Sequence, residues 1–377
     1  GLTRANSADI YLSGPFSLLG REHELIMGFM ATRSKQDVPV YGSVYPPVGG
    51  SIYDWRGEYA KPDIPRSGQN DIVQRQTGAY LATRLKPTDD LSVILGTRVS
   101  NFSNNDTTDF YDPTATDART SYKQTGVVTP YAGVVYDLND VWSVYSSYTK
   151  IYRPQNTKDA DRKLLDAIEG DTYEAGLKAA FFDGRLNASF AAFRIEQDNV
   201  AQYVSGFESD SIYRPIAGAT TKGFEVELAG EVLDGWNVSA GYTYQHTRDA
   251  NDDYVYSSVL QTTTPQQVVR LFNAYRLPGA LDKVTIGAGV NWQSEFFGNV
   301  FQPNPNDTVN FGQYARITQD SYYLVDLMAR YRFNEHLSTT LNVKNAFDKK
   351  YYTGLGNFGT GFYGEPRSLQ LATRWDF

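Results

Sequence analysis

Cysteine is absent from all 377 residues of the chain. Without a thiol, the chain can form no disulfide framework, no thiolate metal site and no cysteine nucleophile. Its three histidines, His23, His246 and His336, lie beside two different short turns or near a long connection, so they cannot converge on one metal ion or one catalytic triad. We expect surface or interface histidines, and we predict that the protein is not an enzyme and holds no resident metal or cofactor.

Long apolar runs are also missing. A membrane-spanning helix needs about 20 apolar residues, and the mean hydropathy is −0.45, which together exclude a bundle of spanning helices. The formal net charge of −8 argues against a nucleic-acid partner, for which a basic surface is expected. A membrane barrel is compatible with these numbers, because its strands need an apolar residue only at every second position.

Aromatic residues are abundant: 28 tyrosines, 20 phenylalanines and 5 tryptophans make up 14% of the chain, which also has 32 glycines. Apolar and polar residues alternate from Trp236 to Gln245, and the same alternation starts at Tyr173, Phe224 and Leu369. Alternation with a period of two predicts strands with one apolar and one polar face.

Short polar turns alternate with long connections along the chain, which indicates antiparallel hairpins with two unlike ends. Outer-membrane barrels have this arrangement, with short periplasmic turns and longer extracellular loops. The short turns are predicted at 19–22, 86–90, 137–140, 183–184, 234–235, 277–282 and 334–336, and the long connections at 36–71, 105–121, 153–168, 199–214, 248–264, 298–320 and 354–364.

Aromatic side chains fall near both kinds of connection, as expected for two membrane interfaces. Trp142, Phe181, Trp236, Phe333, Trp375 and Phe377 lie beside short turns, and Tyr148, Tyr242, Tyr244, Trp292 and Tyr323 lie near long ones. Trp292 shares its face with Val284 and Val290, so we assign it to the lipid-facing belt.

Seven short turns join strands in pairs, and the strand that ends at Phe377 makes the total fifteen. Closed bacterial barrels have an even number of strands, and an open edge in lipid leaves backbone groups unpaired. The sequence therefore predicts an all-β, antiparallel transmembrane outer-membrane β-barrel with about 15 of 22 strands present, the size of plugged transporters. We expect residues 1–377 to form one C-terminal barrel portion of a longer or processed protein, with its plug domain absent.

Several motifs resemble those of TonB-dependent ferric-siderophore receptors, most closely the branch for hydroxamate-containing siderophores such as pyoverdine and coprogen. The stretch from Val141 to Gln155 is similar to their W-S-x-Y-x-S-Y-T-x-x-F-x-P-Q pattern. Residues 169–178 resemble their G-x-x-x-E-x-G-x-K strand and residues 223–227 their G-x-E-x-E, and residues 342–352 and 364–367 match their closing strands before the terminal Phe377.

The resemblance implies an active transporter in the outer membrane of a Gram-negative bacterium, with the ferric siderophore as its transported ligand. It implies coupling to the TonB–ExbB–ExbD complex through a plug and TonB box outside this chain. Outer-membrane lipid, lipopolysaccharide and the barrel assembly machinery are the other partners expected.

Charged residues at alternate strand positions would face the lumen of a wide barrel. One interpretation is that these charges contact the plug, because a plug held by polar contacts could be displaced by pulling. The alternative is that neighbouring strands pair these charges with one another. The residues are Arg98, Glu174, Lys178, Glu225, Glu227, Arg330, Arg332, Lys344 and Arg374.

One long connection combines aromatic residues with a cation, and rigid aromatic surfaces together with charge suit large iron chelates. The same tyrosines could instead pack on one another or on lipid head groups. The candidate ligand-binding residues are Tyr41, Tyr45, Tyr53, Trp55, Arg56 and Tyr59.

Three other functional classes remain open from the sequence. A passive outer-membrane porin would need an even strand count, and a soluble secreted β-protein that binds glycans could use the same aromatic residues. An outer-membrane hydrolase is the third class, but this sequence offers no plausible pair of nucleophile and base for it.

Overall fold

The computed structural model describes residues 1–42, 63–205, 211–248, 264–302, 313–355 and 361–377. Its regular structure consists of β-strands and a 3₁₀ helix at Gly279–Leu281. None of the helices in the described ranges is long and apolar enough to cross a membrane. In chain order the strands are β1 (Leu2–Leu18), β2 (Arg21–Tyr41), β3 (Arg66–Leu85), β4 (Leu91–Phe110), β5 (Ala118–Asp137), β6 (Trp142–Arg153), β7 (Ile168–Phe181), β8 (Leu186–Asp198), β9 (Val200–Ser205), β10 (Ile212–Ile216), β11 (Thr220–Leu233), β12 (Trp236–Arg248), β13 (Gln267–Arg276), β14 (Val284–Gln293), β15 (Phe296–Gln302), β16 (Gln313–Gln319), β17 (Tyr322–Arg332), β18 (Leu337–Lys344), β19 (Tyr352–Leu355), β20 (Gly361–Tyr363) and β21 (Ser368–Trp375).

A single sheet contains fifteen of these strands, in the order β1-β2-β3-β4-β5-β6-β7-β8-β11-β12-β13-β14-β17-β18-β21. Each strand is therefore hydrogen-bonded to the sheet strands that precede and follow it in the sequence. The predicted all-β antiparallel fold and the count of fifteen strands are confirmed.

Tight turns set the register of the hairpins. Leu19 and Gly20, with φ of 52° and 76°, connect the paired residues Leu18 and Arg21. Two consecutive residues with positive φ form the kind of turn whose twist matches that of the flanking strands. At the turn between Leu233 and Trp236 only Gly235 has a positive φ, 75°, and the register shifts between Glu231 and Leu233.

Three of the predicted long connections contain hairpins of their own, which the sequence pattern does not predict. The pairs β9–β10, β15–β16 and β19–β20 each form a separate two-stranded sheet. The connection between β4 and β5 is also shorter than the predicted 105–121, because both strands continue and leave only residues 111–117 outside them. Cross-strand hydrogen bonds extend these strands where the sequence is polar and shows no alternation.

The chain divides into two compact units. The first unit contains Gly1–Leu85, Ile94–Tyr131 and Ile151–Ile168, and the second contains Lys86–Val93, Ala132–Lys150 and Glu169–Phe377. Within the second unit, Phe224, Val226 and Leu228 lie directly opposite Tyr244, Tyr242 and Ala240 on the next strand. Residues between them, such as Glu225 opposite Thr243, occupy the other face.

The apolar faces of both units are not covered by protein in the described part of the chain. In the first unit Ile10 is 77% exposed and Leu12 67%, and in the second Ile286 is 48% exposed and Leu327 45%. Continuous apolar surface of this kind is costly in water, whereas the outer wall of a membrane barrel needs it. The arrangement argues against the soluble glycan-binding alternative.

Candidate functional site

Three glutamates share the polar face of the second unit. Strand β8 lies between β7 and β11, and its alternate residues Phe193, Ala191 and Ser189 lie opposite Glu174, Glu225 and Glu227, respectively. Residues at alternate positions of one strand point to the same side of a sheet. The three carboxylates therefore lie on one side, and Lys178, which is also opposite Ser189, lies there with them.

Tyr145 of β6 connects the charges of β7. Its hydroxyl donates a hydrogen bond to Oε1 of Glu174 at 2.6 Å, and Nζ of Lys178 lies 4.8 Å from the centre of its ring. A cation over an aromatic ring is attracted by the negative face of the ring. Tyr145 is not among the residues predicted from the sequence, although its position, out of phase with the apolar residues of its strand, indicates the polar face.

The other charged residues of this face make few contacts. The hydroxyl of Thr243 lies 3.4 Å from Oε1 of Glu225, and Nε of Arg330 donates to the hydroxyl of Thr340 at 3.2 Å. Arg374 forms a salt bridge of 2.7 Å with Asp376 at the end of its strand. Four of these charged residues face the same side of the sheet. Arg330 and Arg332 of β17 lie opposite Thr340 and Ser338 of β18, respectively. Ser338 and Lys344 of β18 in turn lie opposite Arg374 and Ser368 of β21.

Arg98 lies on the first unit. Its Nε donates a hydrogen bond to the hydroxyl of Ser100 at 3.0 Å, and its Nη2 lies 2.8 Å from the sulfur of Met30. Ser100 is fully buried. Arg98 is thus held along its own strand, β4, and against β2, which lies two strands away in the sheet, by groups that do not neutralise its charge.

Eight of the nine predicted lumen-facing charges make no salt bridge with any described residue, and Arg374 is the exception. In the described part of the sheet, neighbouring strands therefore do not pair these charges with one another. Arg98, Glu174 and Glu225 are half-buried and the other five are exposed. A half-buried charge without an ionic partner favours contact with a polar partner outside the sheet.

The candidate ligand residues fall mostly outside the described residues. Tyr41 ends β2, is 56% exposed and lies opposite Arg66. The guanidinium of Arg66 lies 5.7 Å from the ring centre of Tyr111, so an aromatic and a cation do meet at this end of the first unit. The candidates outside the described residues are Tyr45, Tyr53, Trp55, Arg56 and Tyr59.

Asn345 organises the closing segment that the motif comparison singled out. It is 4% exposed, and its Nδ2 donates to the carbonyl oxygens of Lys349 at 2.9 Å and Glu365 at 3.1 Å. Its Oδ1 accepts the amide of Lys349 at 2.8 Å, and its own amide donates to Oδ1 of Asp326 at 2.9 Å. We call this set of bonds the Asn345 clamp, and it joins β17, β18 and the segment before β21.

The histidines do not form a site. His23 is 5% exposed and packs 5.2 Å from the ring of Phe16, so it is buried and not at the surface as expected. His336 stacks on Trp375 at 6.0 Å. The described residues contain no group of three or more His, Asp or Glu side chains that could hold a metal ion.

Known proteins resemble this chain along its full length. The family model "TonB dependent receptor-like, beta-barrel" matches residues 2–346. The ferric-pyoverdine BN7/BN8 receptor of Pseudomonas putida is 40% identical over 100% of this chain and 44% of its own length. The ferripyoverdine receptor of Pseudomonas aeruginosa is 40% identical over 100% of this chain and 45% of its own length.

The fold is similar as well. The crystal structure of the Pseudomonas aeruginosa ferripyoverdine receptor bound to ferripyoverdine superposes with a TM-score of 0.84 at 40% identity, covering 100% of this chain and 48% of that one. The chain thus spans less than half the length of the curated relatives named above.

Proposed function

Because this chain belongs to the TonB-dependent receptor-like β-barrel family, we propose that the whole protein is a receptor and active transporter for ferric siderophores, energised by TonB. The chain is an outer-membrane protein of a Gram-negative bacterium, as its family and its relatives are. The observation that carries the proposal is the 40% identity to two ferripyoverdine receptors over the full chain. It favours a pyoverdine-type chelate as the ligand.

The geometry supports this proposal in two ways. The exposed apolar faces of both units match hydrocarbon, which is what the outside of a barrel wall contacts. Eight of the nine predicted lumen-facing charges lack ionic partners among the described residues, so they are available to a plug domain. A polar interface of this kind can be pulled apart more easily than an apolar one of the same area.

The proposed cycle contains no covalent step. The ferric siderophore binds from the long-connection side, where the Tyr41 region contributes aromatic and cationic surface, and it rests on the plug. The TonB–ExbB–ExbD complex then pulls the plug away from Glu174, Glu225 and Glu227, and the chelate passes. A passive porin, the alternative function, would need neither a plug nor energy.

Growth and uptake separate these functions. A strain without the gene is starved of iron, complemented with the full-length gene and given a panel of purified ferric siderophores. We expect growth and uptake of radiolabelled iron with one or a few pyoverdine-type chelates, and loss of uptake when a protonophore removes the proton-motive force. Uptake that survives the protonophore would favour the porin, and the absence of uptake with every chelate would refute the siderophore proposal.

A further inference from the structure

Two cavities of opposite charge lie at the short-turn end of the second unit, where the connections 234–235, 277–283 and 138–141 are found. The first, which we call the basic cavity, has a volume of about 430 Å³. Phe272, Met328 and Thr285 form part of its wall. Its charged lining residues are Arg276, Lys283, Arg330, Arg332, Glu231 and Asp282.

The cations of the basic cavity are only partly neutralised. Arg276 lies 3.4 Å from a carboxylate oxygen of Asp234, outside the cavity lining, and Glu231 is shared with Arg185 at 3.7 Å. Lys283 and Arg332 form no salt bridge within the described ranges. The cavity therefore carries an excess of positive charge.

The second cavity, which we call the acidic cavity, has the opposite sign. Four carboxylates and one ammonium group line it, and none of the four carboxylates is in a salt bridge with a residue that the structure describes. Ala229 forms part of the same wall. The charged residues are Asp90, Asp137, Asp140, Glu227 and Lys178.

The positive charge of the basic cavity and the negative charge of the acidic cavity indicate which kind of ligand the basic cavity binds. Its volume lies within the range of about 300–1,000 Å³ that is common for small-molecule sites. An arginine side chain can donate two parallel hydrogen bonds to the two oxygens of one carboxylate. The apolar wall formed by Phe272 and Met328 suits the uncharged part of an organic ligand. The acidic cavity repels the same ligand, so a small anion is attracted to one side of this end only.

We propose that the basic cavity is an anion-binding site for a carboxylate group of the transported chelate as the chelate crosses the lumen, with Arg330 and Arg332 as its main contacts. The proposal rests on the proposed transport function and adds to it the side of the lumen on which an anionic ligand travels. A carboxylate-bearing segment of the plug domain is the competing occupant, and the experiment below separates the two.

Residues 1–377 contain no cysteine. Once any cysteine outside these residues has been removed from the full-length protein, a single introduced thiol can be labelled specifically. Ala274→Cys places a thiol in the basic cavity and Ala229→Cys places one in the acidic cavity. Each variant, in outer-membrane vesicles, is treated with an anionic and a cationic methanethiosulfonate reagent. We expect the ratio of anionic to cationic labelling rates to be about tenfold or more higher at position 274 than at position 229.

The ligand itself is represented by citrate, a small polycarboxylate, with uncharged mannitol as its control. We expect citrate, but not mannitol, to slow anionic labelling at position 274 and to leave position 229 unaffected. Adding R330Q and R332Q to Ala274→Cys should lower the labelling ratio and remove the effect of citrate. The control, K349Q with K350Q, removes two positive charges from an exposed segment away from the cavity and should change neither.

Equal labelling ratios at the two positions, or labelling at position 274 that citrate does not slow, would overturn the proposal. A thiol at position 274 that reacts with neither reagent until the plug domain is deleted would overturn it in favour of the plug segment. Because labelling reports the local preference for anions, its failure is distinct from failure of the siderophore growth panel.

Discussion

The ring of Tyr145 lies so close to Gly176 on the neighbouring strand that a Cβ atom at position 176 would stand 2.5 Å from Cε1 of the ring. The missing side chain lets the ring lie against the sheet, and the hydroxyl then reaches Glu174 at 2.6 Å. An aromatic ring that covers a glycine on an adjacent strand is a known way to fix strand register. In the first unit, Tyr80 covers Gly28 and Tyr131 covers Gly96 in the same manner.

Gly176→Ala should therefore destabilise the full-length protein. The added methyl group would stand 2.5 Å from both the backbone oxygen of Phe190 and Cε1 of Tyr145, so it strains the strand pairing and displaces the ring from Glu174 and Lys178. Overpacking of this kind costs about 1–3 kcal/mol. The free energy of unfolding in detergent with urea measures the effect. The matched control is Gly241→Ala on the same face, where a Cβ meets nothing within 4 Å. Equal stability of the two variants would contradict the role of the contact.

Tyr145→Phe tests the hydrogen bond separately from the ring. The ring stays over Gly176 and near Lys178, whereas Glu174 loses its phenolic donor, which should cost about 1–3 kcal/mol because the acceptor is charged. Tyr131→Phe is the control, since the hydroxyl of Tyr131 has no hydrogen-bond partner among the described residues, and its unfolding free energy should stay close to that of the native protein. If Tyr145→Phe is as stable as the control, the hydrogen bond to Glu174 does not stabilise the protein.

Asn345→Ala should open the Asn345 clamp. Two carbonyl groups and one amide lose their partners, and Asn345 has φ of 47°, a conformation that asparagine adopts more readily than alanine. We expect a loss of about 2–4 kcal/mol in the free energy of unfolding and faster proteolytic cleavage within 345–367. Asn342→Ala, three residues earlier and within β18, is the control and should be cleaved at the native rate. Unchanged protection of 345–367 in Asn345→Ala would show that the clamp does not hold this segment.

Charge reversal of Glu225 and Glu227 in the full-length protein tests contact with the plug domain. If the plug supplies the missing cations, each reversed pair should cost about 2 kcal/mol or more, so the plug should become more accessible to protease and iron uptake should fall. Glu335→Lys at an exposed short turn is the control for the added positive charge. Native protease protection and native uptake in the reversed variant would refute contact between the plug and these carboxylates.

The connection between β4 and β5 should loosen in acid. The hydroxyl of Thr114 at 2.7 Å and its amide at 2.8 Å donate to Asp112, and these bonds lower the pKa of Asp112 below its ordinary value. The stabilisation is therefore complete above the pKa of an unfolded aspartate, about 3.9, and is lost as the pH falls through the lower folded value. The protection factor of the Thr114 amide, which corrects for the intrinsic pH dependence of exchange, should fall in that range, and Asp112→Asn should abolish this pH dependence of the protection factor. A pH dependence that persists in Asp112→Asn would point to another group.

The local pattern of residues was sufficient to predict much of this fold. Alternation from Trp236 to Gln245 placed apolar and polar residues on the faces that the structure shows, and the short turns identified the fifteen strands of the sheet. Charged residues such as Glu225 and Arg330 could be assigned to the polar face because side-chain direction in a strand alternates with every residue, whichever strand lies next to it.

Contacts between distant parts of the chain could not be predicted in this way. The burial of Asn345 and the position of Tyr145 over Gly176 both depend on register between strands, and register is set by turns and by cross-strand hydrogen bonds. The separation of the basic and acidic cavities also required the structure, because their lining residues come from strands and turns far apart in the sequence. The sequence by itself determined the alternating segments of the fifteen sheet strands and the face that each of their residues occupies, since both follow from a repeat of two residues. Only the tertiary structure decided which side chains meet, because each meeting requires two distant segments to pair in one register.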